Sequence, residues 1–206
     1  MKRFLYSLVL CAWILALSVV MCACKKQEDV AFSERPVYDT ERLSEYVRLD
    51  SYTDLSVALE QEGASKGDAV WTLILERAEV LFYPEGAVSY YAEQERQACR
   101  YYAEKHDLSY EEALERLDTS EEKILEKAEK MVKADLVYEY VREDAGIALT
   151  EAEKASLFDR YADRFAEQYG YDLSEVKESM ADFVYEAMLY DKTMEYLIKH
   201  NTFTVE

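Results

Sequence analysis

The chain has 206 residues, with 24 Lys and Arg against 43 Asp and Glu, which gives a formal net charge of −19 at pH 7. Binding of DNA or RNA needs clustered cations, so this charge argues against nucleic acid as a partner. The chain contains only 5 Gly and 2 Pro. Because hairpins and tight turns draw on these two residues, the composition predicts an all-α fold.

The N-terminus has the pattern of a secretory signal. Two cations, Lys2 and Arg3, precede an uncharged apolar run over residues 4–21. A positive start followed by an apolar stretch is typical of a signal peptide, which we expect to occupy residues 1–23. An uncleaved transmembrane anchor is the alternative, since about 20 apolar residues can also span a bilayer.

The apolar run ends in the letters MCAC, where Ala23 stands directly before Cys24. A small residue before cysteine resembles the lipobox of bacterial lipoproteins, whose cysteine carries acyl chains such as palmitate after cleavage. We therefore expect Cys24 to be lipidated. With the cations holding the N-terminus inside, the rest of the chain is expected on the extracytoplasmic face of a bacterial cell membrane.

Residues 24–42 show no sustained helical or strand period and contain Pro36. We interpret them as a flexible tether between the membrane and a folded domain. The folded domain is expected over residues 43–206. Its first part has a mixed pattern that includes an extended segment, LSVAL, at residues 55–59.

The rest of the chain predicts a series of helices. Four capping boxes are predicted at helix starts, namely Ser109 with Glu112, Thr119 with Glu122, Thr150 with Glu153, and Asp172 with Glu175. Glycines at 146 and 170 stand where helices are expected to end. The predicted helices cover residues 68–80, 85–105, 109–117, 120–145, 151–169 and 173–199.

The last predicted helix has the strongest pattern. Its apolar residues follow spacings of three and four and are Leu173, Val176, Met180, Phe183, Ala187, Tyr190, Met194 and Leu197. Such spacing places them on one helix face. A stripe of this kind needs partner helices or a bound client to cover it, which favours an antiparallel bundle or an elongated helical arm.

Familiar catalytic motifs are absent from the sequence. It contains no GxxxxGK[ST], GxGxxG, HExxH or GxSxG pattern. His106 and His200 each lie near a predicted helix C-terminus, where a capping role is favoured over metal binding. Cys99 lies within a helical pattern, which favours packing over nucleophilic chemistry. We predict no catalytic residue, no cofactor and no metal site.

The order of several segments resembles the C-terminal substrate-binding domain of trigger factor, the bacterial ribosome-associated chaperone. The segments are FYPEGAVSYYAEQERQ, VKADLV, GIALTEAE, AEQYGYDLSEVK and KTMEYLIKHNTF, and YVRLDSYTDL resembles the segment that follows the N-terminal domain in that family. The resemblance covers residues 46–203 and is strongest over 82–203. It implies an all-α domain that holds unfolded chains in a cradle between helical arms.

Two departures limit what the resemblance implies. In trigger factor an FKBP-type isomerase domain lies between the two resembling regions, but here only residues 56–81 separate them. An independent domain needs on the order of 50 residues or more, so isomerase activity is not expected. A signal-like segment stands in place of the ribosome-binding domain, so ribosome binding is not expected either.

The resulting hypothesis is a lipid-anchored protein that binds unfolded or newly exported polypeptides through tyrosine-rich helices. Tyrosine suits such a surface because it combines apolar area with a polar tip. Candidate binding residues are Tyr90, Tyr91, Tyr101, Tyr138, Tyr161, Phe165, Phe183 and Tyr190. A structural or assembly lipoprotein, with a fixed partner or a second copy of itself, is the alternative, and a residual isomerase is a third hypothesis.

Overall fold

The computed structural model of the protein describes residues 36–205. This range is mostly helical, which agrees with the predicted class. The α-helices are α1 (Leu43–Tyr46), α2 (Lys66–Arg77), α3 (Ala87–Lys105), α4 (Tyr110–Arg116), α5 (Glu121–Ala145), α6 (Glu151–Tyr169), α7 (Leu173–Ser179) and α8 (Ala181–Lys199). The strands are β1 (Val47–Arg48), β2 (Ser56–Leu59), β3 (Glu79–Val80) and β4 (Thr202–Val205).

The predicted signal peptide, Cys24 and the first part of the predicted tether lie outside the described residues. Within residues 36–205, no helix combines the length and the apolar character needed to cross a membrane. The chain divides into two compact units. Among the described residues, the first contains residues 36–50 and 75–140, and the second contains residues 51–74 and 141–205.

The first unit is built on α3, α4 and most of α5. Its core is rich in small side chains, since α3 buries Ala87, Ala92, Cys99 and Ala103. Larger groups on α5 complete it, with Val132 and Leu136 fully buried. A short antiparallel pair joins β1 to β3, in which Val47 faces Val80 and Arg48 faces Glu79.

The helix starts of the first unit follow local capping chemistry. At α4, the Ser109 hydroxyl accepts the Glu112 N–H while the Glu112 carboxylate accepts the Ser109 N–H, which confirms that predicted capping box. At α5, the structure uses Ser120 in place of the predicted Thr119. The helix begins at Glu121, so the Ser120 hydroxyl is the one that accepts a backbone N–H, from Lys123 at 3.2 Å.

The second unit packs α6 against α7 and α8. Its α6 starts at the predicted Thr150–Glu153 capping box and ends at Gly170, whose φ of 72° lies in the left-handed region that glycine adopts readily. A parallel pair joins β2 to β4, in the register Ser56 with Thr202 through Leu59 with Val205. The side chains of Val57 and Leu59 on β2 are buried.

The predicted single helix over residues 173–199 is wrong, because the structure breaks it at Met180. That residue has φ −124° and ψ 18°, outside the helical region, and α7 ends before it while α8 begins after it. In the first half of α8, Val184 and Met188 are buried, one residue after the predicted Phe183 and Ala187, whereas Met194 and Leu197 are buried as predicted. Phe183, on the predicted stripe, is exposed.

A polar network joins the start of α6 to α8 within the second unit. The Lys192 ammonium donates to both carboxylate oxygens of Glu153, at 2.7 and 2.8 Å, and to the backbone oxygen of Ala148 at 2.8 Å. Glu153 also accepts from the backbone and hydroxyl of Thr150. Lys192 and these Thr150 donors stabilise the charged carboxylate and lower the pKa of Glu153 to about 2.

We expect Glu153→Gln to reduce the pH dependence of stability. A carboxyl whose pKa is lowered in the folded state stabilises the fold above its unfolded pKa of about 4.3, and this stabilisation is lost as the pH falls toward 2. The urea midpoint of Glu153→Gln should therefore lie below that of the parent protein at pH 7. The difference should shrink as the pH falls from 5 to 2.5.

Glu151→Gln is the matched control, since Glu151 is an exposed acid in the same first turn of α6. Its urea midpoint should follow that of the parent protein across the pH range. A midpoint difference for Glu153→Gln that stays constant between pH 5 and 2.5 would contradict the assigned role of Glu153.

Candidate functional site

The structure distributes the eight predicted aromatic residues over a wide range of burial. Four belong to the first unit and four to the second. Tyr91, Tyr138 and Phe165 are buried, Tyr90, Tyr161 and Tyr190 are half-buried, and Tyr101 and Phe183 are exposed. Most of these side chains are therefore at least half-buried, which leaves little of their apolar area for contact with another molecule.

In the first unit, Tyr91 on α3 forms a hydrogen bond with the buried Asp135 on α5. The Asp135 carboxylate, almost fully buried, accepts hydrogen bonds from the Tyr91 hydroxyl and, at 3.3 Å, from the Tyr38 hydroxyl. A buried carboxylate is costly unless it is hydrogen-bonded, so these donors are structural. The bond from Tyr38 also attaches the segment before α1 to this unit.

In the second unit, Tyr161 and Phe165 also have packing roles. The Tyr161 hydroxyl donates to the Asp191 carboxylate at 2.8 Å, and the Arg164 guanidinium lies over the Tyr161 ring, 4.6 Å from its centroid. Burial, aided by the bond to Asp191, raises the pKa of Tyr161 to about 12, so the phenol stays neutral at physiological pH. The Phe165 ring packs against that of Tyr169, with centroids 4.7 Å apart.

A different apolar group faces solvent in the first unit, directly after β3. Leu81 is 46% exposed and Phe82 is 59% exposed, and the two are adjacent in the chain. Their backbone is held in place, because the N–H groups of Leu81 and Phe82 both donate to the Tyr46 oxygen, at 2.8 and 3.3 Å. The two side chains are therefore exposed while hydrogen bonds hold their backbone in place.

The Phe82 ring packs against an aromatic neighbour and is still largely exposed. It stacks on the Tyr46 ring with centroids 6.2 Å apart and an interplanar angle of 24°. The Arg42 guanidinium lies 5.5 Å from the centroid of the Tyr46 ring. We call Arg42, Tyr46, Leu81 and Phe82 the Phe82 platform. Its exposed aromatic and aliphatic area can contact an apolar side chain of another molecule.

The sequence prediction of binding residues did not include the Phe82 platform. The available signal is the apolar run over residues 81–83, which stands between the predicted helix over residues 68–80 and Pro84. A proline directly after apolar residues marks the end of a regular element, so these residues are not predicted to lie on a buried helix face. The binding prediction considered aromatic residues on helices only and so passed over this run.

Other chemistry has little support in the part of the chain that the structure describes. No group of His, Cys, Asp and Glu side chains there has the geometry to hold a metal ion. Burial, together with the nearby Glu95 carboxylate, raises the pKa of the Cys99 thiol. A buried thiol that stays protonated is a poor nucleophile.

Comparison with known proteins adds no assignment. Neither the family models, nor the curated proteins, nor the solved structures contain a match to this chain. The case for a function therefore depends on the residues and on the geometry described above.

We expect Tyr91→Phe to destabilise the first unit by about 1–3 kcal/mol, because it removes a donor from the buried Asp135 carboxylate. Tyr101→Phe on the same helix is the control, and it should change the free energy of unfolding by less than about 0.5 kcal/mol because Tyr101 is exposed. Urea denaturation followed by circular dichroism measures both. Equal stability of the two variants would show that the Tyr91 hydroxyl has no structural role.

Proposed function

We propose that this protein is a membrane-tethered lipoprotein that binds unfolded or newly exported polypeptides on the extracytoplasmic face of a bacterial membrane. The observation that carries the proposal is the Phe82 platform, in which adjacent Leu81 and Phe82 side chains are exposed on fixed backbone. Exposed apolar groups that are held in this way favour contact with another molecule.

The charge of the chain supports the same proposal. Clients in a non-native state expose apolar side chains, which the platform can contact, and the net charge of −19 keeps the client-free protein soluble. The same charge favours clients that carry basic residues. The order of segments that resembles the trigger factor C-terminal domain is consistent with this kind of client.

The proposal assigns a location to the protein through its N-terminus. A lipid on Cys24, or an uncleaved anchor over the apolar run, would hold the folded part near the membrane where exported chains emerge. No catalytic step, cofactor or ribosome contact is part of the proposal. The protein would hold a polypeptide reversibly and release it unchanged.

The proposal is tested with the fragment from Lys25 to Glu206, which contains all of the described residues. At severalfold molar excess this fragment should suppress the aggregation of a chemically denatured model protein, measured by light scattering. A Leu81→Ser and Phe82→Ser double variant should bind such a client about tenfold more weakly, because it removes the two exposed apolar side chains.

Leu117→Ser is the matched control. Leu117 is 41% exposed in the same unit but lies outside the Phe82 platform, so its replacement should leave suppression intact. Circular dichroism and urea denaturation check that all variants are folded. Absence of suppression by the parent fragment would contradict the proposed function, and equal suppression by the double variant would contradict the assignment of the platform. Capture of a single partner from envelope extracts would favour an assembly role instead.

A further inference from the structure

The second unit ends in a strand with one unpaired edge. Among residues 36–205, β4 pairs with β2 alone. The Thr202 N–H donates toward β2, to the Leu55 oxygen at 2.9 Å. Because successive backbone groups of a strand point to opposite edges, the N–H and C=O groups of Phe203 and Val205 point away from β2.

Within the strand itself, this edge carries neither of two features that proteins use to prevent edge pairing, a charge and a proline, although the strand is short and the Lys66 ammonium lies 5.1 Å from the centroid of the Phe203 ring. Strand β4 reads Thr-Phe-Thr-Val, with no charge and no proline, and three of its four residues are β-branched. Natural edge strands are commonly protected by lysine, proline or a bulge. The Val205 side chain is also 55% exposed, so the described residues leave this end of the strand open.

The strand is held in extended form by the residue before it. The buried Asn201 side chain accepts the Leu55 N–H at 2.7 Å and donates to the backbone oxygens of Tyr52, at 3.0 Å, and Leu197, at 2.7 Å. These bonds tie the end of α8 to the segment before β2. A strand already fixed in its binding conformation loses less entropy when a partner pairs with it.

We propose that the outer edge of β4 binds an extended stretch of unfolded polypeptide that carries basic side chains, by adding it to the β2–β4 pair as a third strand. This inference rests on the proposed function, since it names how a client backbone is held. Pairing through main-chain hydrogen bonds is independent of the client's side-chain sequence. That property suits a protein that meets many unfolded chains.

Size and charge both favour this occupant over a second copy of the chain. Four residues span about 13 Å, so pairing between two β4 strands would bury far less than the roughly 1,200 Å² of a stable interface. Two copies, each with a net charge of −19, also repel one another. The exposed residues Glu60 and Glu62 follow β2 at the end where Leu59 pairs with Val205, and they would attract lysine or arginine side chains there, whereas the Lys66 ammonium beside Phe203 disfavours a client cation at that position.

The test uses the full chain in phospholipid nanodiscs and a fluorescent eight-residue peptide of alternating lysine and valine. Fluorescence anisotropy measures binding, with empty nanodiscs as background. Val205→Pro removes the outward N–H at little cost in packing, while Val205→Ala keeps that N–H and removes only the side chain. We expect Val205→Pro to weaken binding about three- to tenfold, as loss of one backbone hydrogen bond does, and Val205→Ala to stay within about twofold.

A second measurement does not depend on any protein variant. The same peptide N-methylated at every backbone nitrogen cannot donate backbone hydrogen bonds from either edge, so the parent protein should bind it less tightly than the unmethylated peptide. Equal binding of the two peptides would overturn the inference, as would equal binding by Val205→Pro and Val205→Ala. Dimers of the parent protein in sedimentation experiments that dissociate in Val205→Pro would assign the edge to a second copy and overturn it too.

Measuring aggregation suppression by the protein in the same nanodiscs distinguishes failure of this inference from failure of the proposed function. If the parent protein suppresses aggregation, but neither Val205→Pro nor N-methylation weakens peptide binding, only the edge-pairing inference is contradicted. Peptide binding that weakens as expected without any suppression would contradict the proposed function and support the edge as a peptide site.

Discussion

The need to bury apolar helix faces is the constraint on which the rest of this structure depends. Both units contain such buried faces, with Val132 and Leu136 fully buried in the first and Val184 and Leu197 in the second. Most aromatic residues on the helices are used in the same way. Among residues 36–205, the other exposed large apolar side chains are isolated from one another along the chain, whereas Leu81 and Phe82 are adjacent and their backbone is hydrogen-bonded to Tyr46.

Local chemistry explains which parts of the fold could be predicted. The helix starts at Ser109 and Thr150 and the end at Gly170 depend on contacts within a few residues, so the sequence alone indicates them. The all-α class follows from a composition poor in glycine and proline. The same reasoning fails by one residue at Thr119, because Ser120 carries an equivalent hydroxyl and only the position of the first helical turn decides between them.

Features that depend on distant contacts could not be predicted. The break at Met180 interrupts a regular apolar pattern, and the packing of α7 and α8 in the second unit determines which residues are buried. Strand β4 pairs with a segment about 150 positions earlier in the chain, and no local sequence pattern predicts this pairing. The Phe82 platform combines Arg42 and Tyr46 with residues after β3 that periodicity does not place beside them. Whether an apolar residue belongs to the core or to the candidate site depends on its burial in the folded chain, which the periodic pattern of the sequence only approximates.

We propose that unfolded polypeptide contacts the protein at the Phe82 platform. The most direct measurement places a photo-crosslinking phenylalanine analogue at position 82, and separately at position 117, in the fragment from Lys25 to Glu206. After mixing with a denatured model client and irradiation, crosslinked client should form efficiently from position 82 and only weakly from position 117, which is also exposed in the first unit. Equal yields from the two positions, or none from position 82, would contradict the claim.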